Sequence, residues 1–385
     1  MNYNHPQKGG STIVTKTVCA ATFVAFTFLW LYCFQADVLA VAQHVLSGGQ
    51  TRYDRLVGAL LITGGLWLLQ LIVYSFTRLN KTFHALTFFP SMLVLAVITD
   101  ISSDLHFTIG SWWWAAPLLT AVWLLLVLLG RGMQVIDEGS GKLFTRRTWV
   151  NLTIMCAMMA GVAVIGNTEA VFHFRARAET SLMSGNIDRA LSVGSSSHES
   201  DANLTMLRVY ALSRSGQLGD RLFHYPVVGG SDAMLPFGTV SRTLLYPADS
   251  IFRYLGAIPR QTMSTRHYLK RLEQDSLAKA PVADYMLCAC LADRDLDTFA
   301  RLIGRYYEVS DKLPRHYREA LTLYTHMRSH PVVTWSDNVI EEDYADLQRL
   351  QSKYPDASER KVRVEEKYAG SYWYYYFFSS IVPSM

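Results

Sequence analysis

Residues 1–168 contain five long apolar stretches that lack Asp, Glu, Lys and Arg. Each is about 18–22 residues long, and a helix of that length rises roughly 27–33 Å, close to the thickness of the hydrocarbon core of a bilayer. Tryptophans open the fourth and fifth stretches, as is typical of the membrane interface. The pattern predicts five transmembrane helices, over Thr17–Ala36, Leu56–Thr77, Thr82–Thr99, Ser111–Gly130 and Thr148–Thr168.

Beyond residue 168 the hydrophobic pattern changes to short amphipathic helices separated by Gly and Pro. Leu204, Leu207 and Ala211, for example, share one helical face, and strand-like alternation is nearly absent. The chain is therefore predicted to be all-α. A transmembrane helix bundle over residues 1–168 precedes a soluble helical domain over residues 169–385.

Two helix–turn–helix patterns in the second half of the chain resemble each other. Leu182–Leu191 and Leu212–Leu222 each carry a turn glycine, and the two glycines are 31 residues apart, near the tetratricopeptide period of roughly 34. A third candidate, Ala289–Phe299, has Arg294-Asp295 in place of the glycine. Two interpretations stay open. One is a helical domain with two αα-hairpins, and the other is a degenerate tetratricopeptide-like solenoid with a concave binding face.

Charge is distributed unevenly along the chain. Residues 1–168 carry 10 Lys/Arg and 6 Asp/Glu, whereas residues 169–385 carry 26 of each, so the formal net charge of +4 belongs to the membrane half. The balanced tail has no basic field of the kind that favours nucleic-acid binding. Eight of the ten cations lie in the N-terminal segment and in alternate loops. The positive-inside rule then predicts a cytoplasmic N-terminus and, after five spans of an inner membrane, an extracytoplasmic (periplasmic) tail.

The start of the chain also resembles a secretory signal peptide. Lys8 and Lys16 precede an apolar run, and Ala40-Val41-Ala42 resembles a small-residue cleavage site, although the run exceeds the usual length of about 7–15 residues. Cleavage near Ala42 therefore stays an alternative, which would leave four spans and the same external tail.

The two predicted outward loops carry the one constellation of residues suited to catalysis. No GxSxG, HExxH, paired CxxC or GxGxxG pattern occurs in the chain. Carboxylates and imidazoles that converge at the ends of spans could form an acid/base pair or hold a divalent metal. The candidates are Asp37, His44, Asp100, Asp104 and His106. Loops between spans are normally polar because water solvates them, so no catalytic residue, cofactor or metal site is assigned.

Seven consecutive aromatic residues, Tyr372–Phe378, lie near the end of the chain. The run is too short to span a membrane, and packing against the domain or insertion into the membrane interface would explain it. A sugar- or lipid-contacting platform is the alternative. Together with arginines of the repeat region, the run supplies candidates for an interaction surface. These are Arg208, Arg214, Arg221, Tyr372, Trp373 and Tyr374.

Four segments of the chain resemble uncharacterised multi-pass membrane proteins of Bacteroidetes, a family of unknown function. The segments are Asp37–Arg55, Tyr210–Pro226, Leu313–Met327 and Ser371–Phe378. The resemblance implies spans in the inner membrane and a tetratricopeptide-like C-terminal region. It transfers no catalytic residue, because the family has none assigned.

The leading functional hypothesis is a membrane-anchored interaction or scaffold protein of the cell envelope. Its external helical tail would bind an envelope protein or peptide and would need no cofactor. This favours a non-enzymatic role. The first alternative is an envelope enzyme that acts on a lipid-linked or polysaccharide substrate through the outward-loop carboxylates. The second is a subunit of a transport complex. The expected partners are the lipid bilayer and another envelope protein.

Overall fold

The computed structural model describes residues 10–77, 79, 81–101, 112–132 and 146–379, and within these ranges every regular element is a helix. The predicted all-α class is confirmed for this part of the chain. The chain divides into two compact units, Met1–Glu169 and Ala170–Met385. They are called the N-terminal unit and the C-terminal unit.

The N-terminal unit contains five helices that are long and apolar enough to cross a membrane. Its elements are α1 (Gly10–Leu29) with a π-helical extension (Trp30–Phe34), α2 (Ala36–Leu46), α3 (Arg55–Thr77), a 3₁₀ helix (Lys81–Phe88), α4 (Phe89–Thr99), α5 (Trp112–Gly132) and α6 (Arg146–Ile165). The five candidate spans are Ile13–Phe34, Arg55–Thr77, Thr82–Thr99, Trp112–Gly132 and Arg146–Ile165. Length and composition thus agree with the prediction of a membrane protein.

The ends of two spans differ from the prediction for identifiable reasons. The first span starts at Ile13 and runs through Lys16. That residue does not interrupt the helix, because its ammonium donates to the hydroxyl of Tyr74 at 2.6 Å and lies 4.5 Å from the centre of that ring. The fifth span ends at Ile165. After it the chain leaves the helix, and the N–H of Asn167 donates to the carbonyl of Thr99 at 2.9 Å.

The third span, Thr82–Thr99, is the centre of the N-terminal unit. Of its length 61% is buried inside the unit, against 17–22% for the other four spans. It is also broken. A 3₁₀ helix with a kink at Phe83 (φ −121°, ψ 32°) precedes α4, and Pro90 lies in the first turn of α4, where its missing N–H leaves no hydrogen bond unmade.

Asn151 of α6 supplies hydrogen-bond partners for backbone groups of the third span where that span departs from α-helical geometry. Its Oδ1 accepts from the N–H of Ala85 at 2.7 Å, and its Nδ2 donates to the carbonyl of Thr82 at 2.9 Å. Backbone groups inside a bilayer have no water to bind, so irregular structure there needs such protein partners. Asn151 therefore stabilises the break.

The C-terminal unit is built from twelve α-helices within its described residues, joined by short turns and 3₁₀ segments. The helices are α7 (Ala170–Met183), α8 (Ile187–Ser192), α9 (Ala202–Arg214), α10 (Leu218–Arg221), α11 (Ala248–Leu255), α12 (Thr265–Gln274), α13 (Pro281–Ala292), α14 (Leu296–Tyr306), α15 (Arg315–Met327), α16 (Asn338–Lys353), α17 (Ala357–Tyr368) and α18 (Tyr372–Phe378). Helices α9 and α13 are buried along most of their lengths and form the centre of one hydrophobic core.

The same tight turn joins four pairs of helices in the C-terminal unit. At each turn one residue has a positive φ, and the next N–H donates to a carbonyl five residues back, as in the Schellman motif. The positive-φ residues are Gly185 (75°), Gly216 (69°), Ser276 (56°) and Arg294 (57°). The three predicted helix–turn–helix pairs are therefore present. A fourth pair, joined at Ser276, was not predicted from the sequence.

Two glycines in the C-terminal unit make a matched pair for testing the turn. An added Cβ meets nothing within 4 Å at either Gly216 or Gly304, but Gly216 has a positive φ whereas Gly304 lies inside α14. We expect Gly216→Ala to lower the free energy of unfolding by about 1 kcal/mol and Gly304→Ala to raise it by about 1 kcal/mol. Urea unfolding of the two variants would measure the difference. The same sign for both changes would contradict this account of the turn.

The aromatic run near the end of the chain forms α18, which packs against α15 and α17. Tyr372, Trp373 and Tyr375 are buried, and the carbonyl of Tyr375 accepts from the guanidinium of Arg294 at 3.0 Å. Arg294 also donates to the carbonyl of Ser379. Packing inside the unit thus accounts for the first half of the run.

Candidate interaction surface

The last turn of α9 presents Arg214 to solvent in a fixed position. Its Nη1 donates to the hydroxyl of Tyr210 at 2.9 Å, and the guanidinium lies 5.7 Å and 5.6 Å from the ring centres of Tyr210 and Tyr254. The hydroxyl of Tyr210 is in turn 2.9 Å from that of Tyr246. These four residues are called the Arg214 surface. Contacts of this kind reduce the rotamer freedom that arginine loses on binding a partner.

Tyr254 is held in place by α9 itself. Its hydroxyl donates to the carbonyl of Ser213 at 3.1 Å and lies 3.1 Å from the Ser213 hydroxyl. Its ring meets that of Tyr210 edge to face, with ring centres 5.5 Å apart and an angle of 89° between the planes. This arrangement of aromatic rings is a favourable one, so the two rings form a rigid base for Arg214.

Tyr246 is positioned by a buried carboxylate on α7. The side chain of Glu179 accepts hydrogen bonds from three successive backbone N–H groups, those of Leu244 (2.8 Å), Leu245 (2.5 Å) and Tyr246 (2.8 Å). Glu179 is fully buried. The three hydrogen bonds from residues 244–246 to Glu179 are called the Glu179 clamp. Because the segment 244–246 is neither helix nor strand, the clamp determines where the Tyr246 ring lies.

Arg175, one turn before Glu179, completes the clamp. Its Nε is 3.4 Å from Oε1 of Glu179, and its Nη2 donates to the carbonyl of Arg242 at 2.5 Å. Burial raises the pKa of the Glu179 carboxyl, and the guanidinium of Arg175 and the three amides oppose that rise. The three N–H donors and the guanidinium stabilise the ionised carboxylate, which acts only as an acceptor, against the effect of burial.

Arg214 is exposed, and no carboxylate of the described chain pairs with it. By contrast, half-buried Arg266 lies 2.8 Å from Asp295, and exposed Arg328 lies 2.7 Å from Asp297. The hydrogen bond that Arg214 donates to the Tyr210 hydroxyl raises the pKa of the guanidinium, which is therefore always charged. The Arg214 surface thus offers an oriented cation without an internal counter-ion.

Tyr285 of α13 lies beneath this surface. It is fully buried, and its hydroxyl has no hydrogen-bond partner within the described residues. Burial raises the pKa of this phenol well above its usual value, and Tyr254 and Tyr210 are close enough to add to the rise. Leaving a buried hydroxyl unpaired costs about 1–3 kcal/mol.

Two other arginines predicted for an interaction surface have different surroundings. Arg208 is only 2% exposed. Its Nη2 donates to the carbonyl of Gly194 at 3.0 Å, and its guanidinium lies 4.9 Å from the ring centre of Tyr225. Burial lowers the pKa of Arg208 to about 10. Arg221 is half-buried and donates to the side chain of Gln217 at 2.8 Å. Arg208 is therefore a structural residue, since its hydrogen-bonding groups face the interior.

The three aromatic candidates lie on α18, mostly facing inwards. Tyr372 and Trp373 are 0% and 1% exposed, and Tyr374 is half-buried. The backbone N–H of Tyr372 donates to Glu319 at 2.7 Å, and the indole of Trp373 donates to the carbonyl of Glu319 at 2.8 Å. The structure places Tyr372 and Trp373 in the core, where they cannot contact a partner without unfolding α18.

His316 orients the carboxylate that holds α18. Its Nε2 accepts from the N–H of Phe223 at 3.3 Å, which leaves the proton on Nδ1, 3.0 Å from Glu319. Burial raises the pKa of the Glu319 carboxyl, but His316, Arg315 and the Tyr372 amide outweigh burial and hold it below its usual value. The carboxylate is therefore ionised near neutral pH.

The outward-loop candidates are placed as follows. Asp37 lies in the first turn of α2 and is half-buried, and the ring of half-buried His44 lies against Gly49. Asp100 is exposed and accepts from the indole of Trp112 at 2.7 Å. Asp104 and His106 lie outside the described residues. Among the residues that are described, no three His, Cys, Asp or Glu side chains are grouped so that they could hold a metal.

Comparison with known proteins adds one finding. The chain is similar over residues 260–379 to a family of unknown function, DUF6057, and this stretch covers less than half of the chain. The match supports the predicted resemblance to an uncharacterised family. The Bacteroidetes origin and the tetratricopeptide-like character stay predictions. Neither the curated proteins nor the solved structures contain a match to the chain.

The matched stretch contains α12 to α18 but not the Arg214 surface. It includes Glu319, Trp373 and Arg294, which hold α18 to the rest of the unit. The family resemblance therefore covers the part of the fold in which the aromatic run is anchored.

Proposed function

We propose that the chain is a membrane-anchored interaction protein whose C-terminal unit binds an acidic segment of another envelope protein. The observation that carries this proposal is the oriented cation of the Arg214 surface. Arg214 is exposed, it is stacked on Tyr210 and Tyr254, and no carboxylate of the described chain pairs with it. Arginine and tyrosine are the residue types in which the binding energy of protein interfaces concentrates.

The repeated tight turns support a tetratricopeptide-like arrangement as part of the proposal. Four helix pairs are joined by the same Schellman geometry, and helix-pair repeats commonly bind extended segments of a partner. The Arg214 surface lies beside one of these turns, at Gly216. A partner segment that follows the repeats would therefore meet Arg214.

The distribution of charge in the sequence supports an extracytoplasmic C-terminal unit and a cytoplasmic N-terminus. The partner would then be a periplasmic protein or the periplasmic part of another membrane protein. The enzyme and transport alternatives receive no specific support from the described residues, since Asp100 is bound to Trp112 and no metal-binding group occurs among them.

Arg214→Gln tests this proposal. A photo-crosslinking side chain at position 253, which is exposed on α11 next to Tyr254, would capture the partner in intact cells. We expect Arg214→Gln to weaken the complex about tenfold, because a charge-assisted contact is lost. High salt should weaken the wild-type complex as well. The measurement is the amount of crosslinked product relative to the full-length chain.

Arg189→Gln is the matched control, because Arg189 is exposed on α8 and lies outside the Arg214 surface. The crosslinked product should be unchanged in this variant. Equal yields from wild type and Arg214→Gln, or an equal loss in both variants, would show that the surface does not bind the partner through its cation.

A further inference from the structure

One of the four tight turns of the C-terminal unit differs from the other three. In those three, the residue after the positive-φ position is polar and is the N-cap of the next helix. These residues are Asn186, Gln217 and Asp295. The turn at Ser276 continues instead through residues 277–280 before α13 begins at Pro281. Leu277 therefore stands where the other turns have a polar residue, and its side chain is 51% exposed.

A second loop lies beside this one. The backbone N–H of Lys279 donates to the carbonyl of Leu255 at 2.9 Å, at the end of α11. A Cβ added at Gly256 would clash with the carbonyl of Leu277, so the two loops touch through their backbones. Two residues after Gly256, the side chain of Ile258 is 41% exposed.

The two loops form a surface called the apolar tip, which consists of residues 257–259 and 277–280. Six of its seven residues are Ala, Ile, Leu or Pro, and five of the seven are exposed. The N–H groups of Leu277 and Ala278 both donate to the carbonyl of Leu272, at 2.8 Å and 3.1 Å, and hold the second loop in place. Exposed aliphatic groups gain free energy when they leave water, so the apolar tip favours an apolar partner.

Two cations accompany the apolar tip. Arg260 follows the first loop directly, Lys279 lies in the second, and both are exposed. The ammonium of Lys279 donates to the carbonyl of Arg253 at 2.7 Å, which orients its charge without neutralising it. No carboxylate of the described chain pairs with Arg260 or Lys279. Asp275, next to the second loop, already lies 3.6 Å from Arg271. The partner of the apolar tip should therefore be negatively charged where it is polar.

The short connection to the fifth candidate span favours a lipid surface as this partner. The fifth candidate span ends at Ile165 and α7 begins at Ala170, so four residues join them. At about 3.6 Å per residue this connection extends less than roughly 20 Å. Given the proposed membrane anchorage, on which this inference rests, the C-terminal unit stays near a bilayer, and lipid headgroups reach it at a high effective concentration.

We propose that the apolar tip docks on the surface of a bilayer that contains anionic phospholipid. Ile258 and Leu277 enter the boundary between the headgroups and the acyl chains, and Arg260 and Lys279 lie at the phosphates. The C-terminal unit then has a lipid partner in addition to the protein partner of the Arg214 surface. Docking restricts the orientations of the unit and leaves the rest of its surface accessible.

A photo-crosslinking side chain at position 277 tests the docking in the purified, full-length chain. The chain is reconstituted into lipid nanodiscs of dioleoylphosphatidylcholine alone, or of an equal mixture with dioleoylphosphatidylglycerol, which is anionic. Mass spectrometry then measures the yield of lipid adducts. We expect a several-fold higher yield in the anionic discs. Arg260→Gln together with Lys279→Gln should lower that yield about tenfold, because two contacts with phosphate are lost.

Two controls match these changes in exposure and in charge. Val362 on α17 is 53% exposed, and a crosslinker at position 362 should form no lipid adduct. Arg349→Gln together with Lys361→Gln removes the same charge from exposed positions of α16 and α17 and should leave the yield at position 277 unchanged.

Four results would overturn the proposal. They are no lipid adduct at position 277, equal yields in the two kinds of disc, equal yields at positions 277 and 362, and crosslinks from position 277 to a second copy of the chain in place of lipid. The discs contain no other protein, so any of these results would leave the proposed role of the Arg214 surface intact.

Discussion

Glu179→Ala should cost the C-terminal unit about 3–5 kcal/mol of its free energy of unfolding. The change removes the only acceptor among the described residues for the N–H groups of Leu244, Leu245 and Tyr246, and it leaves Arg175 buried without its carboxylate. Urea unfolding of the solubilised chain would give the total loss. Hydrogen exchange at the three amides would show that the loss begins there.

Two controls separate the clamp from a general effect of losing a carboxylate. Glu179→Gln keeps an acceptor oxygen and should be destabilised less than the alanine variant. Glu199→Ala removes an exposed carboxylate and should stay within about 0.5 kcal/mol of wild type. If Glu179→Ala behaves like Glu199→Ala and the three amides exchange at their wild-type rates, the clamp does not stabilise the unit.

Trp373→Ala is the second change with a large expected effect, a loss of about 3–5 kcal/mol. The indole is 1% exposed. Its ring centre lies 5.3 Å from that of Tyr344 and 6.2 Å from that of Tyr368, and its N–H donates to Glu319. Removal leaves a cavity where α18 meets α15 and α17. Urea unfolding followed by circular dichroism measures the loss.

Phe377→Ala on the same helix provides the comparison. Phe377 is 41% exposed, so its removal creates no closed cavity and should cost less than about 1 kcal/mol. Similar losses for the two variants would mean that α18 contributes through its helix rather than through burial of Trp373.

The five long apolar helices could be predicted from the sequence because crossing a bilayer imposes a local rule on composition. A spanning helix must be apolar over roughly 20 consecutive residues, and each of the five stretches satisfies that rule by itself. The central position of Thr82–Thr99 could not be predicted in this way. It depends on which helices pack around it, and the contact with Asn151 joins residues more than 60 positions apart.

The turns of the C-terminal unit also divide into those that the local sequence predicts and those that it does not. Gly185 and Gly216 mark their turns in the sequence, since glycine is the residue that adopts a positive φ most readily. Ser276 adopts the same conformation without a sequence signal. Arg294 also has a positive φ, which is strained for a residue other than glycine. Its side chain donates to the carbonyl of Tyr375 in α18, and this distant contact stabilises the strained backbone.

Arg214 could be predicted from the sequence as a candidate interaction residue, but the residues around it could not. Tyr246 and Tyr254 lie 32 and 40 residues away along the chain, and nothing local distinguishes them from the other tyrosines. The burial of Glu179 and its contacts could not be predicted from the local sequence either. It stands in a helix among small and polar residues as an exposed glutamate would, and only the fold brings the amides of residues 244–246 to it.

The broken third span has a consequence for how the chain would enter a membrane. A ribosome completes α3 and the third span before it makes α6, so the amide of Ala85 and the carbonyl of Thr82 would reach a bilayer without Asn151. Contacts with α3 are available earlier, since Gln70 donates to Thr87 at 2.9 Å. Helix α3 and the third span would thus insert as a hairpin, and arrival of the fifth span would complete the biogenesis of the bundle.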